Sequence, residues 1–118
     1  MTAREIGNIG EDYTVPFLVR NGCEILERNY TVRGGEIDII AKKGRVIHFV
    51  EVKSRKPNSL TSAQSAVTKK KQSHLINAAK EYIARNNIDC SCIFDIAEVE
   101  VDLKTVTGFK YIQRAFTA

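Results

Sequence analysis

Residues 45–53 constrain this chain more than any other stretch, because Val46, Ile47, Phe49, Val50 and Val52 make the segment apolar on both faces. A strand of that kind sits in the middle of a sheet and is covered by other structure above and below. The rest of the chain must therefore supply neighbouring strands and two covering layers. With 118 residues it has enough length for one such domain and too little for two, so residues 1–118 read as a single domain.

The pattern on either side meets that demand. Residues 3–21 read as a helix, with Thr2 as N-cap, Ile6, Ile9, Tyr13 and Phe17 on one stripe, and Asn21-Gly22 as its stop. Pro16 conflicts with that helix and is expected to bend it or end it early. Residues 23–30 and 36–42 read as strands separated by Arg33-Gly34-Gly35, and a loop with Pro57-Asn58-Ser59 follows the central strand. A second helix is expected from a cap at Thr61 or Ser62 to about Asn86, then strands over residues 90–101 and 109–116. The order α-β-β-β-α-β-β describes an α/β protein with a mixed five-stranded sheet flanked by helices.

Composition narrows the function. A net charge of +4 favours an anionic partner, and its distribution says more than its sum. Lys42, Lys43 and Arg45 surround a turn, Arg55 and Lys56 follow a strand, and Lys69, Lys70 and Lys71 sit within a helix. The three cysteines, Cys23, Cys90 and Cys92, have neither disulfide nor zinc spacing. No apolar run is long enough to span a membrane and no apolar leader opens the chain, which predicts a cytoplasmic protein without a membrane partner. The nucleophile elbow, the phosphate-binding P-loop and the dinucleotide glycine fingerprint are all missing.

Side chains alternate along a strand, so Glu51 and Lys53 share a face, as do Glu36 and Asp38 on the neighbouring strand. A two-residue Gly44-Arg45 turn, with glycine first where positive φ is needed, sets Asp38 opposite Glu51. A Lys43-Gly44 turn sets Glu36 there instead. Either register is expected to leave Asp38, Glu51 and Lys53 on a common face. Opposed carboxylates on an apolar sheet repel, and a hard divalent cation such as Mg²⁺ removes that cost. Such an ion polarises a phosphoryl oxygen and activates water, while Lys53 holds the water or offsets charge in the transition state. Exposed ion pairs are the plainer account of an E-x-K tripeptide. Ile47 and Phe49 on the same face argue for coverage instead.

Two helical residues add to the picture. Lys71 falls on the apolar stripe of Val67, Leu75, Ala78 and Tyr82, where a cation either snorkels to the helix edge or meets an anionic partner, and Gln64 lies toward the same side. Glu11 borders the apolar patch of Val15 and Leu18 on the first helix and is a candidate extra ligand. His48 faces away from the acids and reads as a hydrogen-bonded structural residue, with Asp95 structural as well.

Gly10-Glu11, Asn29-Tyr30, Gly35-Glu36-Ile37-Asp38-Ile39-Ile40, residues 49–55 (F-V-E-V-K-S-R), Lys71 and Phe94-Asp95 together resemble the YraN-like family of bacterial predicted endonucleases, over about residues 5–103. The resemblance implies a restriction-endonuclease-like fold of the PD-(D/E)xK superfamily, similar to archaeal Holliday junction resolvases. On that likeness Asp38, Glu51 and Lys53 match the D…E-x-K motif, Glu11 matches the helix-borne acid, and the Val52 carbonyl is an implied metal ligand. Ile37 stands where the superfamily name has proline, and Pro16 and Ile93 also depart from the family's habit. The implied activity is Mg²⁺- or Mn²⁺-dependent hydrolysis of nucleic-acid backbones, DNA and branched junctions above all, by a homodimer. Glu36, Lys71 and Gln64 would assist, and Arg55, Lys56, Lys69, Lys70, Lys42 and Lys43 would contact the nucleic acid. A non-catalytic nucleic-acid-binding module and a protein-interaction subunit are the competing functions.

Overall fold

The computed structural model describes residues 1–58 and 67–118. Helix α1 (Ala3–Arg20) is followed by strands β1 (Glu24–Val32), β2 (Gly35–Lys43) and β3 (Val46–Arg55), helix α2 (Lys69–Arg85), and strands β4 (Ser91–Asp102) and β5 (Thr105–Phe116). The five strands form one sheet in chain order, antiparallel except for the parallel β3–β4 pair at its centre. This is the expected α/β architecture, and it agrees with a restriction-endonuclease-like core. The parallel step follows from α2, which returns the chain to the end of the sheet where β3 began.

Helix α1 packs on one face of the sheet and α2 on the other. On the α2 side Ile37, Ile40, Ile47, Phe49, Leu75, Ala78 and Tyr82 form the larger core. On the α1 side Leu18, Ile39, Ala41, Val50 and Ala97 form the second. Strand β3 feeds both cores, as its two apolar faces demand.

Helix α1 opens with a capping box between Thr2 and Glu5 and runs through Pro16 to Arg20 without ending early. Its buried line is Ile6, Gly10, Thr14 and Leu18 rather than the expected stripe through Tyr13 and Phe17. Tyr13 is 40% exposed. The small residues decide this. A Cβ at Gly10 would come within 1.8 Å of Ser54 Oγ, so the helix backbone lies directly against β3. The two aromatic rings lean outward onto Phe109, with centroids 5.1 and 4.8 Å away.

Helix α2 is capped by Thr68, whose side chain accepts from the Lys71 N–H. Thr61, Ser62 and Gln64, read as caps and a site neighbour, lie outside the described residues. Strand β5 begins at Thr105, earlier than expected, because Leu103 and Lys104 form the β4–β5 turn at φ +48° and +66°. Such turns ordinarily carry Asn-Gly. No described helix is long and apolar enough to cross a membrane.

Candidate metal centre

The site lies where the β2–β3 ladder ends. Pairing runs from Lys43↔Val46 to Ile39↔Val50 across a Gly44-Arg45 turn, with Gly44 at φ +60°. That is the register in which Asp38 is next to face Glu51. The ladder stops one step short of that pair. Asp38 Oδ2 instead accepts the backbone N–H of Val52 at 2.8 Å.

The expectation of a shared face from simple alternation needs correcting here. Ile37 packs in the α2-side core and Ile39 in the α1-side core, although residues two apart on a regular strand share a face. The alternation of β2 therefore breaks at Asp38. Strand β1 breaks beside it: Asn29 sits at φ +52°, Arg28 reaches α1, and Tyr30 packs edge-on against Tyr82 of α2. Asp38 is thus aimed between β2 and β3, against the backbone, while still neighbouring Glu51.

Glu51 is 3% exposed and stands at the centre of the cluster. Its Oε1 lies 3.5 Å from Lys71 Nζ and 3.9 Å from Lys53 Nζ. Its Oε2 is buried with no hydrogen-bond partner among the described residues. An ionised Asp38 can only accept, so the two carboxyls are satisfied together by a shared proton or by a cation. Burial first, and the Asp38 charge second, push the Glu51 carboxyl up to about 8 against the pull of the lysines. Burial also raises Asp38, opposed by the Val52 N–H. Both shifts act in the direction that favours a proton held between the two carboxyls.

Glu11 approaches from α1. Close contact at Gly10 puts the next residue at the sheet's open end, where Glu11 lies 3.6 Å from Arg28. Burial and the nearby Asp38 raise its pKa in spite of Arg28. Lys71 arrives from α2, exposed by 26% at its side chain, and also lies 3.5 Å from Glu36. Burial pulls hardest on the Lys71 ammonium, but Glu51, Glu36 and Asp38 together outweigh it and hold its pKa above the ordinary lysine range. The stripe position of Lys71 thus leads to the acids rather than out to solvent.

Among the described residues no three His, Cys, Asp or Glu side chains converge closely enough to enclose an ion. The arrangement is an open carboxylate pair rather than a cage. That suits Mg²⁺, which takes one or two protein carboxylates and fills its shell with water and phosphate oxygens. In an extended strand the N–H and C=O of one residue point to the same side. The Val52 carbonyl accordingly shares the Asp38 side of β3, the side the ladder has vacated.

The basic residues divide. Lys69 and Lys70 are exposed on the first turn of α2 beside Lys71, and Lys56 is exposed just past β3. Arg55 is turned inward, 3.1 Å from Glu98. Lys42 and Lys43 stand toward the far hairpin end, level with Ile47 and Val46 and so about 13 and 16 Å along the strand from Glu51 at the usual rise per residue.

His48 faces the α1 side as expected and has a fuller network than its sequence context suggested. Its Nδ1 meets Asp95 Oδ2 at 2.6 Å, and Asp95, fully buried, also accepts from the Tyr111 hydroxyl and the Arg114 N–H. The link to Tyr111 could not be read without the β4–β5 register.

Fold and site together define a mixed α/β domain that sets a buried glutamate against a half-buried aspartate, beside two lysines, where a central hairpin diverges. A family model described as "Uncharacterised protein family UPF0102" matches residues 10–99. Similar chains include UPF0102 proteins from Caldicellulosiruptor saccharolyticus, 42% identical over 98% of this chain and 100% of the relative, and Dictyoglomus turgidum, 40% identical over the same shares. Another, from Clostridium perfringens, is 45% identical over 81% of this chain and 80% of its own. The chain belongs to the UPF0102 family, the YraN-like group its motifs resemble.

Proposed function

We propose that this protein is a divalent-metal-dependent endonuclease that hydrolyses nucleic-acid phosphodiesters, with DNA, and branched DNA in particular, as substrate. One observation carries the reading: Glu51 is buried beside Asp38 with an oxygen that no described residue satisfies. A buried carboxylate left in this state is costly unless a proton or a cation completes it, and a hard cation lets both acids stay ionised. Ion pairing on a wet edge does not explain the burial.

In this reading Asp38, Glu51 and the Val52 carbonyl would hold Mg²⁺ or Mn²⁺, with Glu11 as an outer ligand through water. The ion supplies a polarised phosphoryl oxygen and a more acidic water. Asp38 is oriented by the Val52 N–H. Lys53, on the strand face of Glu51, holds the attacking water or offsets negative charge on the phosphoryl group. Lys69, Lys70 and Lys56 offer cations to the flanking backbone phosphates, an interaction that weakens with salt.

The test is cleavage of junction, flap, single-stranded and duplex DNA with Mg²⁺ or Mn²⁺, for wild type, Asp38→Ala and Lys53→Ala. Metal-dependent products from wild type alone are expected. Identical digestion by wild type and Asp38→Ala removes the enzymatic reading. Salt-sensitive binding without any product favours a binding module, and no binding at low salt favours a protein-interaction role.

A further inference from the structure

Lys71 is placed oddly for a residue that only contacts substrate. Its ammonium stands 3.5 Å from Glu51 Oε1 and 3.5 Å from Glu36 Oε1, between a buried acid and one whose side chain is 57% exposed. It is the nearer of the two lysines on Glu51, for Lys53 is 3.9 Å from the same oxygen. A single charge held at equal distance by an inner and an outer carboxylate has two partners to choose from. It can leave the inner one without losing its counter-ion.

We infer that Lys71 is an internal place-holder cation, which neutralises Glu51 until a divalent ion enters and then withdraws to Glu36. This deepens the metal-centre reading and rests on it. When both acids are ionised the pair needs positive charge, and among the described residues no other cation reaches Glu51 from a separate element while also contacting an exposed acid. Lys53 cannot take the part, since it shares the strand of Glu51 and has no second carboxylate partner among the described residues. The device also sets the order of events, because a Lys71 freed from Glu51 is available at the mouth of the site only after the ion is in.

Two measurements on the whole chain test this. The first is calorimetric titration of Mg²⁺ into wild type, Lys71→Gln and Lys71→Arg, at a pH above the range in which Glu51 titrates. Loss of the competing charge is expected to tighten binding in Lys71→Gln roughly tenfold, while Lys71→Arg stays near wild type. The second is acylation of lysines by an amine-reactive ester, read by peptide mass spectrometry. Lys71 in wild type is expected to be shielded without metal and several-fold more reactive with Mg²⁺, with Lys80 as the unchanged internal reference.

Mg²⁺ affinity in Lys71→Gln equal to or weaker than wild type overturns the place-holder alone. So does Lys71 reactivity that stays level or falls on metal addition. If neither wild type nor Lys71→Gln binds Mg²⁺, the metal centre and the place-holder fall together. Thermal melts of each variant exclude misfolding, and Lys71→Met stands in for Lys71→Gln if the latter does not fold.

Discussion

Replacing Glu51 by glutamine should change how the metal-free protein responds to pH. In the folded chain the Glu51 carboxyl is raised from 4.5 to about 8. A raised carboxyl stabilises the fold while protonated, so its contribution is complete below the unfolded value and is lost as pH climbs to the folded one. At about 1.4 kcal/mol for each pH unit, a window of this width sets a ceiling on the order of 5 kcal/mol. Coupling to Asp38 shares the proton between two groups, and a loss of roughly 2–4 kcal/mol is the working expectation. Burial raises Asp38 and Glu11 as well, so they add to the slope in the same direction. In a domain of this size that amounts to a fall in melting temperature of roughly 10 °C. The assay is a series of thermal melts in chelator between pH 5 and pH 9. Wild type should lose stability across the window and level off above it, and Glu51→Gln should be flatter and the more stable of the two at the alkaline end. Mg²⁺ should restore wild type there and leave the variant unmoved. Parallel profiles, or a wild type that gains stability through the window, would refute the reasoning.

Other perturbations probe the supports. Gly10→Ala places a methyl against Ser54 Oγ, with Ser54 Cβ and Val52 behind it, and should cost about 1–3 kcal/mol in urea unfolding, partly recovered by Ser54→Ala. His48→Leu strips one donor from the buried Asp95 and should cost about 2–4 kcal/mol while leaving Mg²⁺ titration unchanged. Replacing Leu103-Lys104 by Asn-Gly fits the positive φ angles of that turn and should raise stability by about 1 kcal/mol. Lys69→Glu with Lys70→Glu should weaken DNA binding and flatten its dependence on salt, read by fluorescence anisotropy.

Much of the site could be read from the chain because it depends on local geometry. Gly44 admits only a few turns, and the one it takes fixes the β2–β3 register that brings Asp38 to Glu51. The spacing of Lys71 put a charge on the core-facing stripe of its helix, but whether it snorkelled outward or met an acid needed Glu36 and Glu51 in place. The break of alternation at Asp38 was hidden, since it depends on Asn29 in another strand adopting a left-handed backbone. The buried line of α1 was misjudged for a related reason. Periodicity weighs large apolar residues, whereas Gly10 and Thr14 are inside because smallness lets helix and sheet touch. Leu103 and Lys104 gave no turn signal, and the link from Asp95 to Tyr111 needed the pairing of distant strands.

The switch of faces at Asp38 has one more consequence. Ile37 is anchored in the layer under α2 and Ile39 in the layer under α1, so the acid between them is held by both halves of the interior at once. Slippage of either helix would move Asp38 before it cost the sheet a hydrogen bond. The centre is a seam, and mild loosening should part the two acids while the spectroscopic signature of the strands is still whole.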